Sequence, residues 1–263
     1  MDFINILAGI IMSTNGLEPH IERVRHPFAA RHVQLLARKT LSPGFISLTL
    51  GGDQLTGFDS VGFDDHIKLI LPQEGQDKPN LPRIVDGRPH IDGKPPTMRD
   101  YTPLRYDASA NTIDLEFAVH SGGPALDWAL TAPLGQWAGI AGPRVSMLPP
   151  DNMDWYVLLG DDSAVPAIER RLSELSATAR AIVRVQLDNL DDQRKWSSPA
   201  ALDVAFVPSL QQAVDELVLP SGRGFVWGAG EKTLMAAIRS PLLDKGIDKK
   251  SIRLSADWKQ DSS

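Results

Sequence analysis

The first half of the chain shows short segments in which apolar and polar residues alternate, separated by turns rich in Gly, Pro and Asn. The segments cover residues 32–36, 45–50, 67–71, about 99–102 and 112–119. Alternation with a period of two indicates strands, and short strands between such turns are typical of an antiparallel barrel or sandwich. Residues 73–97 are rich in Pro, Gly, Asp and Lys, which predicts a long exposed loop.

After residue 154 the pattern changes to strands that alternate with helices. We predict strands at 155–159, 181–187, 204–207, 225–227 and 252–254, and helices near 165–175, 210–217 and 232–239. This alternation indicates a parallel sheet with right-handed crossovers. The predicted organisation is an N-terminal apolar extension of unknown role (1–20), a β-barrel domain (21–148) and an α/β domain (154–263).

The composition narrows the classes of function. The 263 residues contain no Cys, which excludes disulfides, thiolate-bound iron–sulfur clusters, Cys-ligated zinc and a Cys nucleophile. Lys and Arg number 27 against 33 Asp and Glu, a formal charge of -6, which argues against nucleic acid as a partner. The histidines at 20, 26 and 32 lack the spacing of metal ligands, so we expect no metal site.

The N-terminus is apolar but does not resemble a secretory signal. Asp2 is acidic, and no Lys or Arg precedes Arg23, whereas a signal begins with a basic region. We expect a helix or arm that packs on the protein or on a partner, and a cytoplasmic location. No run of about 18 apolar residues occurs, so we expect no membrane span.

A first candidate site lies at the end of a predicted strand. Alternation places Arg99 and Tyr101 on one face of the strand, and Thr102 follows at the turn. An Arg can bind a phosphate, a Tyr ring can stack on a flat heterocycle, and a Thr hydroxyl can reach a ring nitrogen. The three together predict a flavin site, and the alternative is a surface Arg, a core Tyr and a turn Thr.

A second candidate site begins where the strand at 112–119 ends. His120 is followed by glycines, and Pro124 stands where a helix would start. The free N–H groups of a helix start bind anions, here the pyrophosphate of a dinucleotide. Trp128 could cover an adenine. The alternatives are a plain strand–Gly–helix connection and a core Trp.

Two strand-to-helix turns in the second half contain acidic residues. They are Gly160-Asp161-Asp162-Ser163 and Trp227-Gly228-Ala229-Gly230-Glu231. Neither is G-x-G-x-x-G, but both would lie at the carboxyl ends of strands, where open α/β sheets bind ligands. Glu231 is therefore a candidate for cofactor binding, with stabilisation of the first helical turn as the alternative. Neither a G-x-S-x-G elbow nor a Walker loop occurs.

Taken together, a set of ordered motifs resembles one known family. The motifs are His66-Ile67-Lys68-Leu69, Met98-Arg99-Asp100-Tyr101-Thr102-Pro103, Phe117-Ala118-Val119-His120, Gly123-Pro124-Ala125, Trp128-Ala129, Ile140-Ala141-Gly142-Pro143-Arg144, Gly160 to Ile168 and Trp227 to Glu231. Their order and spacing over residues 25–260 resemble the siderophore-interacting proteins, FAD-dependent ferric-siderophore reductases related to ferredoxin–NADP reductases.

The resemblance implies an antiparallel flavin-binding β-barrel followed by a parallel-sheet, nicotinamide-binding-like domain. It implies that Arg99, Tyr101 and Thr102 hold the flavin and its phosphate. His120, Gly123, Pro124, Ala125 and Trp128 would line the pyrophosphate and adenine end. The chain departs from the family pattern twice: Leu104, followed by Arg105, replaces an Arg, and Ala256-Asp257-Trp258-Lys259 replaces Gly-Tyr-Trp-Arg.

The function that this implies is the release of iron by reduction of Fe(III) in a ferric siderophore. FAD would carry the electrons, so no catalytic side chain is expected. The donor would be NADH, NADPH or ferredoxin, and Asp188 after the second α/β strand hints at NADH, although it could be a solvated loop residue. The alternatives are a flavin oxidoreductase with another acceptor and a non-catalytic siderophore-binding module.

Local cations are needed to bind an anionic ferric siderophore, because the whole chain is acidic. Lys259 and Arg253 flank the last predicted strand, where the resembled family has basic residues near the flavin. On the barrel side, Arg105 and Lys39 are the further candidates. These four side chains are the predicted substrate-binding set.

Overall fold

A computed structural model describes residues 20–119 and 122–259. The predicted N-terminal extension lies outside the described residues, apart from His20. Short strands and one helix make up the first part of the described chain. They are β1 (Glu22–Arg25), β2 (Ala30–Ser42), β3 (Phe45–Gly51), β4 (Ile67–Ile70), β5 (Arg83–Val85), β6 (Arg88–His90), β7 (Met98–Tyr101), β8 (Arg105–Asp107), β9 (Thr112–Ala118), α1 (Pro124–Thr131), β10 (Trp137–Ala141) and β11 (Val145–Leu148).

Seven of these strands form one antiparallel sheet in the order β7-β4-β10-β2-β3-β9-β8. The two edge strands, β7 and β8, follow each other in the chain and are joined by residues 102–104. The four residue steps from the end of β7 to the start of β8 span at most ~14 Å. In a flat sheet of seven strands, the two edge strands would be about 29 Å apart. The sheet must therefore curl on itself, which confirms the predicted antiparallel barrel.

The interior of the barrel is filled by alternate residues of its strands. Val33, Leu35, Leu48, Leu115 and Ile140 are all 0% exposed. They belong to one buried cluster that also takes in the inner face of α1. The period of two that predicted the strands thus arises from one buried face.

The long exposed loop predicted at 73–97 contains two short strands. Strands β5 and β6 pair within it as a hairpin, in the register Arg83 to His90. Asp86 and Gly87 form its turn with φ of 49° and 74°, the left-handed conformation that an Asp-Gly hairpin turn requires. Each strand has only three residues, and Ile84 is 47% exposed, so the segment shows neither a periodicity nor a buried face. A second two-stranded ribbon pairs β1 with β11.

Strands and helices alternate in the second part of the chain. They are β12 (Trp155–Gly160), α2 (Val165–Glu174), β13 (Arg180–Gln186), β14 (Ala201–Val207), α3 (Leu210–Asp215), β15 (Gly224–Glu231), α4 (Lys232–Asp244) and β16 (Ile252–Trp258). The strands form a parallel sheet in the order β14-β13-β12-β15-β16, as predicted. The order reverses between β12 and β15, and at such a point the carboxyl ends of strands border a ligand crevice.

Strand β12 is buried along its whole length because both faces of the parallel sheet are covered. Val157 and Leu159 pack with residues of α3 and α4. Tyr156 and Leu158 belong to the opposite cluster, which includes Phe45 and Phe63 from the first part of the chain. The barrel and the parallel sheet therefore share a hydrophobic core. Within the described ranges, every helix lacks the length or the apolar character needed to cross a bilayer.

Polar contacts reinforce this shared core. Arg170 of α2 donates from Nη1 to Ser60 Oγ (2.9 Å) and to the Pro103 carbonyl (3.0 Å), and from Nη2 to the Ser60 carbonyl (2.6 Å). The ring centroids of Phe63 and Trp227 are 5.1 Å apart and nearly perpendicular. These contacts fix α2 and β15 against the loop that precedes β4.

A buried ion pair also joins the two parts of the chain. Arg194 Nη1 lies 2.7 Å from Glu116 Oε2 and 3.2 Å from Glu169 Oε2. Its guanidinium lies over the Phe45 ring, 4.5 Å from the centroid. Burial raises the pKa of Glu116, and the charge of Arg194 opposes this shift. Glu116 thus remains buried with its charge compensated from the other sheet.

We predict that Arg194→Met destabilises the protein by about 3–5 kcal/mol at pH 7, because it leaves a buried carboxylate without its partner. Urea unfolding measures this loss. The double variant Glu116→Gln/Arg194→Met should recover most of it. The control is Arg83→Met at the exposed pair with Asp92, which should leave the stability almost unchanged. A double variant as unstable as Arg194→Met would contradict this account.

Candidate functional site

The predicted flavin-binding residues lie on β7, at the edge of the barrel. Arg99 is exposed, and its Nη1 donates to the Met98 carbonyl at 2.9 Å. The ring of Tyr101 is half-buried and packs on Phe117 of β9, with centroids 4.1 Å apart. Burial raises the pKa of Tyr101, so its hydroxyl stays protonated. Thr102 follows directly and is half-buried. Tyr101 is thus partly a core residue, while Arg99 is accessible to a ligand.

The second predicted site lies at the start of α1. Gly122 and Gly123 have φ of 75° and 133°, and apart from their chain neighbours no described residue has an atom within 4 Å of where a Cβ would stand. The open turn exposes the first N–H groups of the helix, the ordinary anion site of a helix N-terminus. Pro124 occupies the first helical position, and Ala125 is buried, so a ligand reaches only its backbone. His120 lies outside the described residues.

One polar atom near this turn is buried without a hydrogen-bond partner. Trp128 Nε1, one turn into α1, has no partner among the described residues. A buried donor without an acceptor costs about 1–3 kcal/mol unless a ligand satisfies it. The open glycine turn, this donor and the accessible guanidinium of Arg99 fit an extended, anionic cofactor. These residues can therefore hold FAD.

The end of β16 lies next to this edge of the barrel. His66 Nε2 is 4.0 Å from Asp257 Oδ1, and the following residue, Ile67, pairs with Tyr101. Burial raises the pKa of Asp257 to about 6, with Asp161, Asp64 and Asp100 adding to the shift and His66 opposing it. The segment of residues 257–259, which we call the C-terminal arm, is thus located beside β4 and β7.

A cation that the sequence analysis did not select lies at the same place. Lys68 extends from β4 and contacts Asp100 of β7, with Nζ 2.6 Å from Oδ2 and both side chains about half exposed. His66 and Lys68 are two residues apart and so share one face of the chain. Lys259 is exposed at the end of the C-terminal arm. A charged residue inside an otherwise apolar strand was the available signal for Lys68.

The other predicted substrate ligands have different surroundings. Arg253 Nε lies 3.0 Å from Oδ2 of Asp64, which is 4% exposed, so Arg253 compensates a buried charge. Arg105 is exposed and contacts Glu169 of α2 at 3.2 Å. Lys39 is exposed on β2, opposite Ser47 of β3. In the described parts of the chain, neither Arg105 nor Lys39 bonds to His66, Lys68 or Asp257.

Glu231 ends β15 and caps α4. Its carboxylate accepts hydrogen bonds from the backbone N–H groups of Thr233 and Leu234. Its own N–H donates to Asp161 Oδ2 at 2.7 Å. The structure thus favours the alternative given for this residue, stabilisation of the first helical turn. Over residues 20–119 and 122–259, no group of three or more His, Asp or Glu side chains is arranged to hold a metal.

The carboxyl ends of β12 and β13 carry several acidic side chains. Burial raises the pKa of Asp162 to about 7, and the charges of Asp188, Asp161 and Asp192 add to the shift. Asp161 and Asp192 accept hydrogen bonds from backbone N–H groups. The electrostatic potential at this end of the parallel sheet is therefore negative, which disfavours an additional phosphate on a ligand bound there.

Comparisons with known proteins agree with this arrangement. Residues 34–147 match the siderophore-interacting FAD-binding domain, and residues 153–261 match the siderophore-interacting protein family. The chain is 32% identical to the NADPH-dependent ferric-chelate reductase of Escherichia coli, over 93% of this chain and 98% of that protein. It is 29% identical to the ferric vibriobactin reductase ViuB of Vibrio cholerae, over 78% and 80% of the two chains.

A solved structure shows the same architecture. The siderophore utilization protein from T. fusca superposes with a TM-score of 0.82 at 29% identity. The match covers 94% of this chain and 98% of that one. Both sheets and their connection are therefore shared with that protein.

We predict that Asp162→Asn stabilises the protein in a pH-dependent way. The pKa of Asp162 is about 7 when folded against an ordinary 3.8, so the folded state binds the proton more tightly, and stability falls as pH rises through this window. The variant should gain about 1–2 kcal/mol over the wild type above pH 7 and almost nothing near pH 4. Urea unfolding at several pH values measures this, with Asp244→Asn as an exposed control. An equal gain at every pH would contradict the prediction.

Proposed function

This chain belongs to the siderophore-interacting protein family, and from that premise we propose that it is an FAD-dependent ferric-siderophore reductase. The observation that carries the proposal is one edge of the barrel, where the candidate flavin residues adjoin a strand with a half-exposed lysine. Arg99 and Tyr101 on β7 adjoin β4 with Lys68, and the C-terminal arm, which ends at Lys259, approaches β4 where Asp257 faces His66. An electron carrier and an anionic iron complex can thus bind side by side.

The residues that hold FAD in this proposal come from two places. Arg99 binds a phosphate, Tyr101 and Thr102 contact the flavin, and the N–H groups after Gly123 and Pro124 take the pyrophosphate. Trp128 lies at the adenine end, where Nε1 needs an acceptor. When bound, FAD supplies the redox chemistry, accepting a hydride from the donor and passing electrons singly to Fe(III).

The protein itself binds and orients the ferric siderophore. Oxygen ligands hold Fe(III) more tightly than Fe(II), because the attraction falls with the charge of the ion, so one-electron reduction weakens the complex. The chain then needs no ligand to the iron. Lys68 and Lys259 attract the anionic complex locally, although the formal charge of the chain is -6.

The donor in this proposal is NADH or NADPH, and ferredoxin is the alternative that the experiment includes. The Escherichia coli relative is named as NADPH-dependent. The topological switch of the parallel sheet supports a nicotinamide dinucleotide, because its crevice lies next to the C-terminal arm. We place the reaction in the cytoplasm, where both dinucleotides are the common reductants.

An anaerobic experiment tests the function. The FAD-loaded protein is mixed with NADH, NADPH or reduced ferredoxin while the flavin absorbance is followed, and a ferric siderophore is then added. We expect one donor to bleach the flavin and the ferric complex to restore its absorbance with appearance of Fe(II). If the flavin absorbance returns only when another acceptor, such as a quinone, is added, the protein is a flavin oxidoreductase with that acceptor and the proposal is wrong. If the protein binds the ferric complex but no FAD, it is a non-catalytic siderophore-binding module.

Arg99→Ala should lower the affinity for FAD while the fold is retained, because a charge-assisted hydrogen bond to phosphate is lost. The expected loss is about 1.5–3 kcal/mol, or roughly 10- to 150-fold in Kd. Titration of apoprotein with FAD measures it. Arg180→Ala, at an exposed position on the opposite end of the parallel sheet, is the control. Unchanged FAD affinity in Arg99→Ala would show that Arg99 is not a flavin ligand.

Lys259→Ala and Lys68→Ala should each weaken binding of a trianionic ferric tris-catecholate and leave FAD content unchanged. The effect should be small for a neutral ferric trihydroxamate and should shrink with added salt, because screening shortens the reach of the charge. Lys249→Ala, at an exposed position before β16, is the control. An equal loss for the charged and the neutral complex would assign the two lysines a structural role.

A further inference from the structure

The C-terminal arm departs from regular strand geometry. Gly230 of β15 pairs with Ala256, but the next residue, Glu231, pairs with Trp258. Asp257 is therefore an extra residue on β16, a bulge. Bulges turn the following side chain in a new direction and are frequent beside functional sites. Here Asp257 lies near His66 of the barrel, and Trp258 lies over the carboxyl end of the parallel sheet.

The indole of Trp258 is held by one carboxylate. Trp258 Nε1 donates to Asp161 Oδ2 at 3.0 Å, and 46% of the Trp258 surface remains exposed. The same oxygen accepts the Glu231 N–H at 2.7 Å. The other oxygen, Oδ1, accepts from Ser163 N (2.9 Å) and from Ser163 Oγ (2.6 Å). Asp161 thus ties together the ends of β12, β15 and β16.

The position of this carboxylate is fixed by its neighbours. Gly230 has φ of 152°, and a Cβ there would lie 2.5 Å from Asp161 Oδ2. Asp161 is only 9% exposed, and its two oxygens accept four hydrogen bonds, which fills the acceptor positions of a carboxylate. It has no free acceptor for a ligand. Any effect of Asp161 on the reaction must act through the groups that it holds.

We propose that Asp161 is a positioning residue for the ferric-siderophore site, acting through the indole of Trp258 to hold the C-terminal arm beside Lys68. This inference rests on the proposed function. Trp258 presents its exposed ring as a wall of the site, and its anchoring fixes the backbone from which the next residue, Lys259, extends.

The test is a double-mutant cycle on the FAD-loaded protein, using gallium(III) tris-catecholate, a redox-inert trianion. Asp161→Asn keeps the size of the side chain but turns an NH2 group toward N–H donors. Trp258→Phe keeps an aromatic ring at this position and removes the indole N–H donor together with the five-membered ring. The control is Asp154→Asn, which alters a similar bond, to Arg223 N at 2.7 Å, at the opposite end of the parallel sheet.

We expect each single variant at Asp161 or Trp258 to raise the Kd for the gallium complex about tenfold, which corresponds to ~1.4 kcal/mol. The double variant should bind no more weakly than either single variant, because both remove the same bond. KM for the ferric complex should rise by the same factor, while FAD content and the rate of flavin reduction by the donor stay unchanged. Asp154→Asn should leave the Kd as in the wild type.

Several results would overturn the inference. If the double variant raised the Kd about a hundredfold, the product of the two single effects, Asp161 would not act through Trp258. Unchanged Kd in Trp258→Phe would show the same, even if Asp161→Asn failed to fold. Loss of FAD in Asp161→Asn would assign the residue to the cofactor site. A wild-type protein that binds no gallium complex and reduces no ferric siderophore would overturn the proposed function itself.

Discussion

Buried carboxylates that find their hydrogen-bond donors in the other sheet are the constraint on which this structure depends. Asp64, before β4, accepts the Nε1–H of Trp227 and the Nε–H of Arg253, both at 3.0 Å. Asp192 of the α/β part accepts the N–H of Gly44 at 2.7 Å. A buried charge is strongly destabilising unless it is compensated, so these carboxylates are satisfied only when the barrel and the parallel sheet meet in one arrangement.

This arrangement locates the site. Because Asp64 precedes β4 by three positions, its bonds to β15 and β16 bring the β4–β7 edge of the barrel to the carboxyl end of the parallel sheet. Lys68 and the C-terminal arm then lie beside Tyr101. The site belongs to neither sheet alone.

Much of the fold could be predicted from the sequence, because it follows from local periodicity. Alternation indicated the antiparallel sheet, and alternating strands and helices indicated the parallel one. Arg99, Tyr101 and Thr102 at the end of β7 and the glycine turn before α1 could be proposed as flavin-binding because each forms a short contiguous motif. The β5–β6 hairpin was missed because each strand has only three residues, too few to show a periodicity, although Asp86 and Gly87 carried a turn signal.

The remainder of the site depends on contacts between distant residues. Arg253 was predicted as a substrate ligand, but its partner Asp64 is 189 positions away, and no local pattern reveals such a pair. Asp161 was recognised only as part of a turn, since its bond to Trp258 spans 97 positions. The sequence shows which side chains are cationic. The packing of the two sheets is needed to show which of these cations are paired with a carboxylate.

We expect the two sheets and their shared site to unfold as one cooperative unit, and scanning calorimetry with and without FAD tests this most directly. A single transition should be seen whose calorimetric and van't Hoff enthalpies agree, and which moves as a whole to higher temperature when FAD is added. Two resolved transitions, of which FAD shifts only one, would show that the barrel binds the cofactor independently of the parallel sheet and would contradict the account.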